Sequence, residues 1–124
     1  MSTIKVGTLL HSDGSTTTEP SIPALDTRFA KAWVLFDGAN AGAIYDSYNV
    51  SSVTDNAVGD FTVNFATALP NINFCESIQA SGSGTNYCAR GYGDKSTSLR
   101  DIRTQSTSAV LGDANHTSYI VFGN

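Results

Sequence analysis

An all-β fold, a small antiparallel β-sandwich behind an extended N-terminal arm, is what this sequence predicts, and three observations predict it. Apolar residues recur with a period of two after residue 31, and clusters of Gly, Asn, Asp and Ser interrupt them at short intervals. Lys and Glu, which decorate exposed helices, are scarce: Lys stands at 5, 31 and 95 and Glu at 19 and 76. Charged residues make up only 15% of the 124 positions, so Ser, Thr, Gly and Asn must supply most of the surface polarity.

The first thirty residues differ from the rest. Ser2, Thr3, Ile4, Lys5 and Val6 form a short extended segment, followed by a low-complexity stretch from Ser12 to Glu19. Pro20 and Pro23 bias the chain away from helix, while Leu25, Arg28 and Phe29 share the face of a single helical turn around Ala24 to Ala30. The division is therefore an arm over 1–30, ordered only against a neighbour, and a sandwich body over 31–124.

In the body, Trp33 and Leu35 fall on one side of the first strand and Val34 and Phe36 on the other, so both faces are expected to be covered. A second strand, Ile44 to Val50, places Tyr45 and Tyr48 on opposite faces. Phe61 to Phe65 alternates strictly and pairs back across a loop at Asp55 to Asp60. Further strands are expected over 73–80, 85–90, 99–105 and 117–122, with turns at Ser81 to Gly84 and at Gly91 to Asp94. That makes about seven strands, in the usual range for a sandwich. Cys75 and Cys88 sit on strands joined by the Ser81 turn, close enough to permit a disulfide without requiring one. The final strand, with Tyr119, Ile120, Val121 and Phe122, is too apolar for a frayed tail. Together with Trp33 and Phe36 it is expected to lie in the core or at an oligomer interface.

Reacting groups are few. His11 and His116 have no ligand-spaced His or Cys nearby, so no metal or other cofactor is expected. Asp55, Asn56 and Asp60 offer oxygens for calcium, but Asx-turn chemistry explains them as well. There is no G-x-S-x-G elbow, the glycines at 82, 84, 91 and 93 lack the context of a phosphate loop, and the candidate acids Asp46 and Glu76 are far apart in sequence. An enzyme is not expected. The net charge of −4 is scattered, and Asp94 and Asp101 interrupt Arg90, Lys95, Arg100 and Arg103, which argues against a nucleic-acid partner. Asn49 and Asn115 head glycosylation sequons that carry no meaning without a secretory signal, and Val6 to Leu10 is too short for one. No apolar run reaches the ~20 residues of a membrane span. Tyr45, Tyr87 and Tyr92 form a sugar-stacking surface, or else are packed in the sheets with their hydroxyls at the rim.

The stretch Lys31-Ala32-Trp33-Val34, Phe36-Asp37-Gly38, Ser47, Asn49 to Asn56 and Gly59 to Phe65 resembles a short module of tail-fibre and appendage proteins in tailed bacteriophages, including those of cyanobacteria. The opening Ser2 to Val6 is similar to the start of many such proteins. The resemblance implies a virion structural protein with a β-rich body, commonly homotrimeric, attached to the particle through its N-terminal residues and without catalytic residues. Its partners would be its own copies, other virion proteins and a host-surface glycan. No shaft or repeat separates arm from body, so the same design also suits a capsid decoration, or cement, protein.

Overall fold

Alternation of apolar and polar side chains dictates strands with one face in a core, and the chain's computed structural model has that form. It describes residues 6–8, 10, 14, 28–82 and 86–123. Among the described residues there are eight strands: β1 (Ala30–Asp37), β2 (Ala43–Tyr48), β3 (Val50–Ala57), β4 (Asp60–Phe65), β5 (Cys75–Ser81), β6 (Tyr87–Lys95), β7 (Leu99–Ser106) and β8 (His116–Phe122). They form two antiparallel sheets, ordered β2-β1-β8-β5 and β3-β4-β7-β6, here called the first and second sheet. The sandwich is as expected. The arm segment Ser2 to Lys5 and most of the helical turn near Ala24 lie outside the described residues; Val6 is exposed, and Ala30 already belongs to β1.

The eighth strand arises at Asn49. The strand expected over Ile44 to Val50 stops at Tyr48, because Asn49 adopts a left-handed φ of 53° and sends the chain from the first sheet into the second. Asn is among the few residues that take this conformation readily. Its side chain holds the corner: Nδ2 donates to the carbonyls of Lys31 (3.0 Å) and Thr67 (3.1 Å), and Oδ1 accepts from the Thr67 amide at 2.7 Å. Asn49 is thus a structural clamp within its sequon.

Two expected turns are strand instead. The loop at Asp55 to Asp60 shrinks to Val58-Gly59, since Ala57 already pairs with Asp60 and Gly59 supplies the positive φ of 67°. Gly91 to Asp94 lies inside β6 as an irregularity between Gly91 and Lys95, and the β6–β7 turn falls at Ser96 to Ser98. There the Ser96 hydroxyl accepts from the Leu99 amide at 3.1 Å. Gly91 has a second role: a Cβ at that position would collide with the Arg100 guanidinium.

The interior is built from Ala32, Val34 and Phe36 of β1, Phe61, Val63 and Phe65 of β4, Ile102 of β7, and Tyr119 and Val121 of β8. Phe36 and Phe61 meet edge-on across the sheets with centroids 5.2 Å apart. At the β5–β6 side the filling turns polar. Arg100, 8% exposed, reaches across from the second sheet to Glu76 on the first, with Nε and Nη2 within 2.8 to 3.0 Å of the carboxylate. Tyr119 donates its hydroxyl to the same carboxylate at 3.2 Å. The cation and its acceptor thus have charge-assisted partners where few waters reach.

Candidate functional site

Which face of each strand looks outward follows from the core. Val34, Phe36, Thr117, Tyr119 and Val121 point inward, so the outer face of the first sheet carries Trp33 and Leu35 from β1, and His116, Ser118, Ile120 and Phe122 from β8. The six residues expected in core or interface therefore divide. Phe36, Tyr119 and Val121 are core, whereas Trp33, Ile120 and Phe122 lie on the outside, and Phe122 is 36% exposed.

Tyr48, the register partner of Trp33, extends this strip across β2. Trp33, Ile120 and Tyr48 stand in one row across β8, β1 and β2, with Leu35 and Phe122 to either side. This sheet has apolar side chains on both faces. An antiparallel sheet exposed to water on one side usually alternates cleanly instead.

Tyr45 and Tyr48 share this outer face, contrary to the expectation that they point in opposite directions. A bulge is the reason: Leu35 pairs with Asp46 but Phe36 pairs with Ile44, so Tyr45 is an extra residue and parity shifts by one. The Tyr45 ring stacks on His116, with centroids 5.6 Å apart and an interplanar angle of 20°. Its hydroxyl donates to Asp37 Oδ2 at 3.0 Å, and this bond to a carboxylate, with some burial, raises the phenol pKa.

Beside this stack the sheet is dented. Leu35, Ser118 and Gln79 form one row across β1, β8 and β5, and His116 and Ser81 the next. The small Ser118 side chain at the centre leaves a depression of about 210 Å³, walled by Leu35, Gln79, Ser81 and His116, with Ala80 at its edge. No carboxylate, ammonium or guanidinium lines it.

The outer face of the second sheet is chemically different, because its groups bind one another. Asn64 donates to Ser52 and Thr54 (3.1 Å each), Asn56 donates to Thr62, and Thr62 donates to Asp101 at 2.6 Å. Arg103 forms an ion pair with Asp60 at 2.7 Å and lies 3.3 Å from the centroid of the Tyr92 ring. The Asp60 hydrogen bond raises the Arg103 pKa further above its ordinary value. Asp60, one of the two carboxylates considered for calcium, is thus occupied by an arginine. Among the described residues no cluster of three or more His, Cys, Asp or Glu is placed to hold a metal ion.

The three tyrosines of the expected sugar-stacking surface do not converge. Tyr45 is on the first sheet, Tyr92 is on the second beneath Arg103, and Tyr87 is partly buried against Gly82 and Gly112. Cys75 and Cys88 do not face each other either. Their strands are edges of different sheets, and the cysteines stand at opposite ends of the β5–β6 crossing, both free and exposed. Lys95, at the far end of β6 from Cys88, donates to the carbonyl of Phe74, next to Cys75.

Sequence reasoning does not single out Gln79, Ser81 or Ser118, and the strand expected over 117–122 begins one residue earlier, at His116. The available signal was the period of two: His116, Ser118, Ile120 and Phe122 alternate with the inward Thr117, Tyr119 and Val121. Among the described residues no helix is long and apolar enough to cross a membrane. No family model, curated protein or solved structure matches this chain.

Proposed function

We propose that the chain is a non-enzymatic structural subunit of a bacteriophage particle, of the short tail-fibre or tail-appendage kind, acting through its contact surfaces. In this reading the N-terminal residues dock on the particle, copies of the body associate as a homotrimer, and the body meets the host surface. The observation that carries the contact role is the outward strip of Trp33, Tyr48, Ile120 and Phe122 on a sheet whose other face already builds the core. Exposed apolar patches larger than a few hundred Å² mark association sites on soluble proteins, and in this strip Tyr48 and Phe122 are exposed while Trp33 and Ile120 are half-buried. The likeness of residues 31–65 to phage appendage modules supports the virion assignment.

The test has two arms. The purified full chain should sediment as a trimer at micromolar concentration and bind host cells; a stable monomer would remove the association claim. Deleting residues 1–30 should abolish incorporation into particles while leaving the body folded, as judged by far-ultraviolet circular dichroism. Retained incorporation would remove docking by the arm. Tight binding to capsids with no binding to cells would replace the appendage with a capsid decoration protein.

A further inference from the structure

The depression on the first sheet combines two properties that separately mean little. It is concave, and its polar walls have no partners among the described residues. The side chains of Gln79, Ser81 and Ser118 make no hydrogen bond with the described residues, and the His116 ring has only its stack on Tyr45. Asn49, Asn64, Thr62 and Asp101, by contrast, are engaged by neighbours. Hydroxyl, amide and imidazole groups from two strands, β5 and β8, therefore face an apolar side, Leu35 of β1, with no partner among the described residues.

We infer that this depression is a binding subsite for one neutral sugar unit of a glycan, with Leu35 against the apolar C–H face of the ring and Gln79, Ser81, Ser118 and His116 bonding its hydroxyls. The inference rests on the proposed encounter with the host surface and assigns its ligand class and location. Three observations favour this occupant. The lining has no carboxylate, ammonium or guanidinium, so a charged ligand would find no such counter-charge. Side-chain amides and hydroxyls both donate and accept, as sugar hydroxyls require. At about 210 Å³ the space is smaller than the ~300 Å³ at which drug-sized pockets begin, and it suits one ring rather than a chain.

The Tyr45–His116 stack is a positioning element. The hydroxyl bond to Asp37 holds the Tyr45 ring, and the ring holds the imidazole at the rim of the depression. Ser118 and Phe122 are four residues apart on β8, or ~13 Å at the rise of an extended strand, so the depression lies at the opposite end of the sheet from Phe122. Association centred on Phe122 leaves it open, with the Trp33–Ile120 row of the strip at its border.

The experiment is a titration of the full-length, isotope-labelled chain with methyl glucoside, methyl galactoside and methyl mannoside, with sialyllactose as the anionic comparison, read by amide and side-chain chemical shifts. The expected result is saturable shifts at Leu35, Gln79, His116 and Ser118 with at least one neutral glycoside. Gln79→Ala should weaken binding roughly tenfold, the worth of about one hydrogen bond. Ser118→Leu, which fills the dent, should abolish it. Each variant's unperturbed spectrum reports whether the fold is kept, and Gln79 lies on an edge strand where truncation is tolerated. Absence of shifts with every neutral glycoside, shifts located elsewhere, preference for sialyllactose, or binding that survives Ser118→Leu would overturn the subsite. Loss of particle incorporation on arm deletion is read independently, so either idea can fail without the other.

Discussion

The outer faces of the two sheets have the same architecture and opposite chemistry. On the second sheet, Asn, Thr, Asp and Arg side chains satisfy one another, down to an Arg103 guanidinium held between Asp60 and the Tyr92 ring. On the first sheet, Trp33, Ile120 and Phe122 face outward, and beside them polar groups without partners among the described residues surround a dent. A face whose groups bind each other gains little from a partner, because each new contact must replace an existing one. A face with unused hydrophobic area and unmade hydrogen bonds gains from the first contact. The asymmetry is the reason for proposing the first sheet as the interacting surface, although the second is more polar and holds more charge.

The largest effect that tests this comparison concerns the tie between the sheets. Glu76→Ala leaves Arg100 buried without a counter-charge and should cost about 3 to 5 kcal/mol in urea unfolding. The double variant Glu76→Leu with Arg100→Met should recover most of that loss. If Glu76→Ala is neutral, the sheets do not depend on this contact, and their outer faces cannot be treated as sides of one rigid body.

Next in size is association. Phe122→Lys should weaken self-association by about tenfold or more in sedimentation, in line with the ~2 kcal/mol for burying such a side chain. Thr54→Lys on the second sheet should leave it unchanged, and equal effects from both would erase the asymmetry.

The interior cluster predicts a response to alkali. Burial, followed by the neighbouring Glu76 charge, raises the Tyr119 pKa well above the ordinary phenol value of 10.0. The folded state therefore keeps a proton that the unfolded chain releases near pH 10. This contribution is fully present below that pH and falls above it, by about 1.4 kcal/mol per pH unit. Tyr119→Phe should flatten the stability profile between pH 10 and 11.5, and an unchanged slope would show that another group controls it.

The smallest effect is a gain. The Thr117 hydroxyl is buried without a hydrogen-bond partner among the described residues, so Thr117→Val should stabilise the protein by about 1 kcal/mol in thermal or urea unfolding. Because Thr117 points inward, sugar binding at Ser118 should not change, which separates the two sides of β8.

The existence of strands was legible in the primary sequence. Phe61 to Phe65 and Thr117 to Phe122 alternate so strictly that their inward sets could be assigned once one member was known to be core. Alternation is a local property, set by the backbone of consecutive residues, and it survives whatever the strand pairs with. The partition of strands between sheets is not local. It depended on a left-handed corner at Asn49, on β5 and β6 separating into different sheets, and on Arg100 reaching Glu76 24 positions away. The candidate site lies almost wholly in that second category. Tyr45 reached the outer face through one extra residue opposite β1, and the dent exists because register sets Ser118 between Leu35 and Gln79. Composition and period therefore decided what kind of layers this chain builds, whereas long-range pairing decided which side chains meet on their surfaces, since only folding brings residues distant along the chain into one row.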